Sequence, residues 1–169
     1  YTLLGLTFIS NTLIIMLFLT TLFLWGAYIR KWILPLWLAS FFSIAVSYIL
    51  KVSMARPRPF QAEKISVLQI AFHFMRNNFN TWNFSFPSLE VVLIFSALPI
   101  LSKGFKKFRY IWIVFAVLVA FSRVYFGVHY MSDVISGAVI GYALGYLSVF
   151  IEDRYHLGLK IMKKLKIKK

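Results

Sequence analysis

The stretch Ser122-Arg123-Val124-Tyr125-Phe126-Gly127-Val128-His129-Tyr130-Met131-Ser132-Asp133 lies between two long apolar runs. Its arginine, histidine and aspartate are therefore expected at or near a membrane boundary, where ionisable groups are costly and usually functional. His129 and Asp133 are four residues apart, so on a helix they would lie one turn apart on the same face. A carboxylate that holds and polarises an imidazole is a common way of making a nucleophile or a general base.

The composition indicates a small integral membrane protein. The 169 residues are 60% hydrophobic with a mean hydropathy of +0.77, which excludes an ordinary soluble domain. Five runs approach the roughly 20 apolar residues that a membrane span needs, at residues 2–27, 32–50, 86–101, 110–126 and 134–151. We predict an all-α, polytopic membrane helix bundle, with one membrane-embedded domain over residues 1–153 and a basic tail at 154–169. Cysteine is absent, which excludes thiolate chemistry.

Two polar segments upstream belong with the opening stretch. Residues 51–59 begin with Lys51 and contain two X-Pro steps, which force Arg56 and Arg58 into an extended path; taken alone, these cations could simply snorkel at a helix end. Residues 63–76 have apolar side chains at helical spacing and predict an interfacial helix. Residues 77–85 are typical of an aromatic, turn-rich loop at the headgroup level.

The second polar segment begins the third predicted span. Pro87 and Ser88 are ordinary helix-start residues, but a helix N-terminus also offers free N–H groups to an anion. Glu90 lies directly beside the apolar run, so its carboxylate needs a partner or a proton.

The distribution of charge predicts the orientation. Most of the 19 Lys and Arg residues lie in the two alternate turns at 30–31 and 103–109 and in the tail. The positive-inside rule therefore places the tail in the cytoplasm and every polar cluster described above on the outer face. We expect a bacterial inner (plasma) membrane protein whose site faces the periplasm.

Two further features predict partners. Gly137, Gly141 and Gly145 form a stripe at four-residue spacing on the fifth span, which lets another helix approach closely, either within the chain or in a homodimer. The tail at 154–169 alternates basic and apolar residues and predicts contact with an anionic membrane surface. Nucleic-acid binding is a poor alternative for a tail tethered so close to a bilayer.

The spaced motifs resemble those of the type 2 phosphatidic acid phosphatase family over about residues 45–150. The first motif, a lysine followed after six residues by Arg-Pro, is matched by Lys51 and Arg58-Pro59. The third motif is matched in full by Ser122-Arg123, followed after five residues by His129 and after three more by Asp133. Pro87-Ser88 match the first half of the second motif, which normally continues Gly-His, whereas this chain has Leu89-Glu90.

The resemblance implies a lipid phosphatase with a covalent phosphohistidine intermediate. His129 would attack phosphorus, Asp133 would orient it, and Glu90 would replace the histidine that protonates the leaving oxygen. Cationic side chains and a serine would bind the phosphate, namely Lys51, Arg58, Ser88 and Arg123. No Asp, Glu or His cluster has the spacing of a divalent metal site, so we expect a metal-independent reaction without a cofactor.

The substitution at Glu90 leaves several alternatives open. A buried glutamic acid can serve as the acid if it stays protonated; an engineered substitution or a catalytically silent relative would also explain it. An anomeric lipid phosphate or a pyrophosphate depends less on a strong acid than a simple alkyl phosphate does, which favours lipid A 1-phosphate or undecaprenyl pyrophosphate over phosphatidic acid. Lipid A 1-phosphate is the preferred substrate. Undecaprenyl pyrophosphate and phosphatidylglycerophosphate are alternatives. A lipid phosphotransferase and a non-catalytic lipid-phosphate binder or transporter are rivals from other classes.

Overall fold

The computed structural model describes residues 30–59, 84–158 and 160 of the chain. The predicted span at 2–27, the predicted interfacial helix at 63–76, most of the loop at 77–85 and the end of the tail lie outside these residues. Every regular element in the described ranges is helical: α1 (Ile33–Met54), α2 (Leu89–Gly104), α3 (Arg109–Tyr125) and α4 (Met131–Tyr155), with 3-10 turns at Arg30–Trp32 and Lys106–Phe108. The predicted all-α membrane fold is confirmed.

Three of the described helical segments are long and apolar enough to cross a membrane: Ile33–Met54, Lys106–Tyr125 and Met131–Tyr155. On α3, large apolar side chains such as Ile111, Val114 and Phe121 are exposed. This arrangement suits a helix whose outer face meets lipid. The three segments correspond to the second, fourth and fifth predicted spans.

Helix α2 is the centre of the bundle. It is 16 residues long and buried almost throughout, because α1, α3 and α4 all pack against it. Its extended N-cap residue is Ser88, and the helix ends after Gly104. The main core cluster joins Leu36 of α1, Leu98 and Ile100 of α2, and Val119 of α3. The third predicted span is therefore a shorter helix enclosed by the others.

The glycine stripe of α4 packs against α2 of the same chain. A Cβ added at Gly137 would lie 3.2 Å from the carbonyl oxygen of Ser88. One at Gly141 would overlap the carbonyl group of Val92, and one at Gly145 that of Ser96. The predicted internal packing is confirmed. The structure gives no support to the alternative, a homodimer through this face, because α2 covers it.

Helix α1 presents a polar stripe to the bundle. Ser40, Ser43, Ser47 and Lys51 recur every three or four residues and are all buried. Small side chains let the neighbouring helices approach, and the stripe ends at Lys51 in the last turn. Ala55 then adopts a left-handed conformation and donates its N–H to the Lys51 carbonyl, which ends the helix and begins the extended segment containing Arg56.

Candidate active site

Alternating helix directions bring the predicted site residues to one end of the bundle. The C-terminal turns of α1 and α3 and the N-terminal turns of α2 and α4 supply most of them. All seven are at most 8% exposed: Lys51, Arg58, Ser88, Glu90, Arg123, His129 and Asp133. Burying charged groups is costly unless they are paired and hydrogen-bonded, so this cluster is a concentrated polar centre in an apolar bundle.

The turn between α3 and α4 positions the histidine. Gly127 has a φ of 62°, a conformation that glycine adopts without steric cost. The chain can then fold back, and the N–H groups of Val128 and His129 both donate to the carbonyl oxygen of Arg123, at 3.1 and 3.3 Å. The arginine at the end of α3 and the imidazole of the turn are thereby fixed relative to each other.

The tautomer of His129 follows from its hydrogen bond. Nδ1 lies 2.7 Å from the carbonyl oxygen of Ser85, and because a carbonyl only accepts, Nδ1 must carry the proton and donate it. In the neutral imidazole, Nε2 then carries the lone pair. It is buried, has no hydrogen-bond partner within the described part of the chain, and lies 3.8 Å from Oε2 of Glu90. This is the state in which an imidazole is a nucleophile.

Asp133 does not hold the imidazole directly, which corrects the expectation from the i,i+4 spacing. Its Oδ2 is 3.9 Å from Nδ1 of His129, beyond hydrogen-bonding distance. Instead, the Ser85 hydroxyl donates to Oδ2 of Asp133 while the Ser85 carbonyl accepts from His129. The carboxylate also accepts from the Tyr130 backbone N–H at 3.0 Å, which caps α4. Asp133 is therefore connected to His129 through Ser85.

Arg56 is a site residue that sequence reasoning missed. Its Nη1 donates to Oδ1 of Asp133 and to the hydroxyl of Ser132, both at 2.8 Å. Its guanidinium stacks over the Tyr130 ring at 4.0 Å, and its carbonyl accepts from the Ser85 N–H at 2.8 Å. The first sequence motif contains Arg58, two residues later, and not Arg56. The feature that could have predicted a role for Arg56 is the extended Arg56-Pro57 step, which places the Arg56 side chain outside a helix.

Ser85 was also missed, and its sequence context offered no signal. It is one serine after an Asn- and Phe-rich loop, and its importance comes from three contacts with residues far along the chain. Lys51 holds the same segment, because its Nζ donates to the carbonyl oxygen of Phe84 at 2.6 Å. The backbone N–H of Ser88 donates to the carbonyl oxygen of Asp133 at 3.3 Å.

Glu90 lies between a cation and the imidazole. Its Oε1 is 3.9 Å from Nη1 of Arg123, and its Oε2 is 3.8 Å from Nε2 of His129. A carboxylate in this position has the charge and approximate size of one edge of a phosphate group. The Ser88 hydroxyl, fully buried and without a hydrogen-bond partner in the described ranges, is a further donor at the N-terminus of α2.

The arrangement suits an anion that carries several oxygens. Arginine binds such groups with directed hydrogen bonds, and the N-termini of α2 and α4 both face this end of the bundle, where their N–H groups favour negative charge. Within residues 30–59, 84–158 and 160, no three His, Asp or Glu side chains form a candidate metal cluster. Independence from metals stays a prediction.

Comparison with known proteins identifies relatives. The profile of the PAP2 superfamily matches residues 32–155. The chain is 42% identical over 66 residues to the bacitracin transport permease protein BcrC of Bacillus licheniformis, covering 39% of this chain and 32% of that protein. It is 39% identical over 72 residues to an undecaprenyl-diphosphatase of Sulfolobus acidocaldarius, covering 42% and 35%. The matched segments thus span about a third of these relatives.

Two crystal structures are similar over most of their length. Aquifex aeolicus LpxE superposes with a TM-score of 0.71 at 26% identity, covering 88% of this chain and 83% of LpxE. A PAP2-type phosphatidylglycerolphosphate phosphatase from Bacillus subtilis superposes with a TM-score of 0.67 at 23% identity, covering 91% and 76%. The second likeness establishes the fold alone.

Proposed function

The chain belongs to the PAP2 superfamily, and from that membership we propose that it is an integral membrane lipid phosphatase whose nucleophile is Nε2 of His129. The observation that carries the proposal is the Nδ1–H donation from His129 to the Ser85 carbonyl. It leaves Nε2 with its lone pair beside Arg123 and Glu90, inside a buried cluster of cations. A phosphate monoester or anhydride is the anion that this charge pattern suits.

We propose a reaction in two displacements. Nε2 of His129 attacks phosphorus, the bond from phosphorus to the lipid oxygen breaks, and that oxygen takes a proton from Glu90. Water then attacks the phosphohistidine, gives its proton to the Glu90 carboxylate, and releases inorganic phosphate and the free imidazole. Lys51, Arg58 and Arg123, with Ser88, bind the phosphoryl oxygens as their negative charge redistributes.

Glu90 has to move for this role. It lies beside Nε2, whereas in-line displacement needs the acid on the far side of phosphorus. A substrate phosphate would also occupy the space next to Arg123 that the Glu90 carboxylate fills. We propose that the Glu90 side chain rotates outward, protonated, when the phosphate enters, because two anions cannot share that position without a proton.

A carboxylic acid favours substrates with good leaving groups. A lipid diphosphate releases a phosphate oxygen and a glycosyl phosphate releases an anomeric oxygen, so both depend less on protonation than a simple alkyl phosphate does. Within this class, the 39% identity to an undecaprenyl-diphosphatase supports undecaprenyl diphosphate. Lipid A 1-phosphate, the preferred substrate from the sequence, is the second candidate.

The distribution of basic residues supports a site on the outer, periplasmic face with the tail in the cytoplasm.

The decisive experiment measures phosphate release by the purified protein in detergent with a chelator present. The panel is undecaprenyl diphosphate, lipid A, phosphatidylglycerophosphate and phosphatidic acid. The test variant is His129→Asn, whose amide can still donate to Ser85 but cannot attack phosphorus. His156→Asn is the matched control, because His156 is exposed at the opposite end of α4 and asparagine tolerates its left-handed backbone.

We expect release from at least one lipid in the wild type and in His156→Asn, and none in a folded His129→Asn. Substantial turnover in His129→Asn would refute the assigned nucleophile. Loss of release on adding chelator would refute metal independence. Transfer of phosphate to an acceptor lipid would identify a phosphotransferase, and lipid binding without any release would identify a non-catalytic binder.

A further inference from the structure

A second concave site lies at the opposite end of the bundle from His129. It is a cavity of about 560 Å³ between the C-terminal half of α2, the 3-10 turn after it and the face of α4. Its polar lining comes from Ser102, Lys103, Lys106, Arg109, Tyr142 and Tyr146. The proposed phosphatase reaction uses none of these residues.

The lining carries three cations and no carboxylate. Lys103 pairs with Asp153 at 2.9 Å, but both side chains are about half exposed, and such surface pairs contribute little. In the part of the chain that the structure describes, no carboxylate pairs with Lys106, and Arg109 contacts the ring and hydroxyl of Tyr110. Positive charge near a helix C-terminus complements its dipole. That complementarity explains individual cations, but it does not account for the cavity they surround.

Exposed aromatic side chains of α4 form one wall of the cavity. Tyr142 and Tyr146 are one turn apart and 52% and 62% exposed, and Val149 continues the same wall. Tyrosine combines an apolar ring that suits acyl chains with a hydroxyl that suits polar headgroup atoms. A free anion would need only the cations, whereas cations next to an exposed aromatic wall match a molecule with a charged head and an apolar body.

We propose that this cavity binds the phosphate-bearing headgroup of an anionic membrane lipid, with Lys106 and Arg109 contacting the phosphate and Tyr142 and Tyr146 contacting the glycerol and upper chains. Basic pockets between membrane helices are suited to such headgroups. The binding is independent of the reaction at His129, because the site is at the other end of the bundle. The lipid would be a stabilising component of the protein.

The test compares two double variants with the same loss of charge. Lys106→Gln with Arg109→Gln removes two cations from the cavity. Lys107→Gln with Arg154→Gln removes one lysine and one arginine that are exposed at the same end but do not line the cavity. Bound lipid is counted by native mass spectrometry during titration with phosphatidylglycerol, phosphatidylcholine or inorganic phosphate, and the thermal midpoint is followed with each. Phosphatidylglycerol is a phosphodiester and is not a substrate of the proposed monoester or anhydride chemistry.

We expect phosphatidylglycerol to bind the wild type and the control pair alike, and the cavity pair at least about tenfold more weakly. Its stabilising effect on the thermal midpoint should be lost in the same variant. Equal weakening in both pairs would overturn the proposal and indicate that diffuse surface charge binds the lipid. No weakening in either pair would also overturn the proposal. Equal binding of phosphatidylcholine would overturn selectivity for an anionic headgroup. Inorganic phosphate stabilising the wild type as strongly as the lipid would identify a free-anion site.

Discussion

Replacing Gly141 with alanine should damage the active site from a distance. The added Cβ would overlap the Val92 carbonyl oxygen and lie 2.9 Å from its carbonyl carbon. Because these are backbone atoms, no side-chain rotation can relieve the overlap. Ordinary contact begins at 3.4 Å, so α2 and α4 would have to separate by about 1 Å.

The cost has two parts that oppose each other. Overpacking a close interface costs about 1–3 kcal/mol, while alanine gains about 1 kcal/mol over glycine in helix propensity. A rigid backbone obstacle favours the upper part of the range, which leaves a net loss of about 1–2 kcal/mol. Val92 follows Glu90 by two residues on α2, so the same separation moves Glu90 and Ser88 away from His129. A 1 Å displacement of reacting groups can cost about 100-fold in rate.

The assay is phosphate release together with thermal unfolding, measured in the same detergent on Gly141→Ala and on Val139→Ala. Val139 is 66% exposed on the same helix, so its truncation changes side-chain size without touching α2. We expect Gly141→Ala to lose up to about 100-fold in rate with a lower thermal midpoint, and Val139→Ala to behave as wild type. Wild-type rate and midpoint in Gly141→Ala would refute the reasoning, as would an equal loss in Val139→Ala.

Further predictions concern the residues around His129. Glu90→Gln should lower kcat by about 100-fold or more. It should also tighten inhibition by inorganic phosphate, because no carboxylate then has to be protonated and displaced when phosphate binds. Unchanged kcat would refute the acid role, and Glu90→His should retain part of the activity. Ser85→Ala removes only the hydroxyl that bridges to Asp133, so kcat should fall while KM changes little; a change confined to KM would contradict a positioning role. Arg56→Ala should lower kcat more than Arg56→Lys, because lysine can keep one contact with Asp133; equal losses would show that the charge does not matter.

Much of the fold followed from the sequence because a membrane simplifies the problem. Apolar runs of sufficient length predict helices, and the described helices fall where the runs at 32–50, 110–126 and 134–151 predicted them. The glycine stripe predicted close packing, and the structure identifies α2 as the helix it contacts. Sequence alone could not tell that α2 is shorter than its neighbours and enclosed by them, because a run of apolar residues looks the same whether lipid or protein surrounds it.

Residues of the candidate site that are close together along the chain could be predicted from their spacing. Residues that only tertiary contacts bring to the site could not. His129 and Asp133 were found from their i,i+4 relation, yet the structure inserts Ser85 between them, from 44 and 48 residues upstream. Arg56 reaches Asp133 across 77 residues. Local periodicity does not predict such contacts, since they depend on how the loop before α2 folds over the turn before α4.

The shortness of α2 bears on how the protein enters the membrane. Sixteen residues of α-helix extend about 24 Å, less than the roughly 30 Å of a bilayer's hydrocarbon layer, and the first turn carries Glu90. Such a segment is a poor autonomous substrate for the insertion machinery. Its most extensive packing partner is α4, which is synthesised later, so α2 gains its main stabilisation only after α4 emerges from the ribosome. Biogenesis therefore ties the insertion of α4 to the retention of α2, and truncation before α4 should leave α2 unprotected and exposed to quality-control proteolysis.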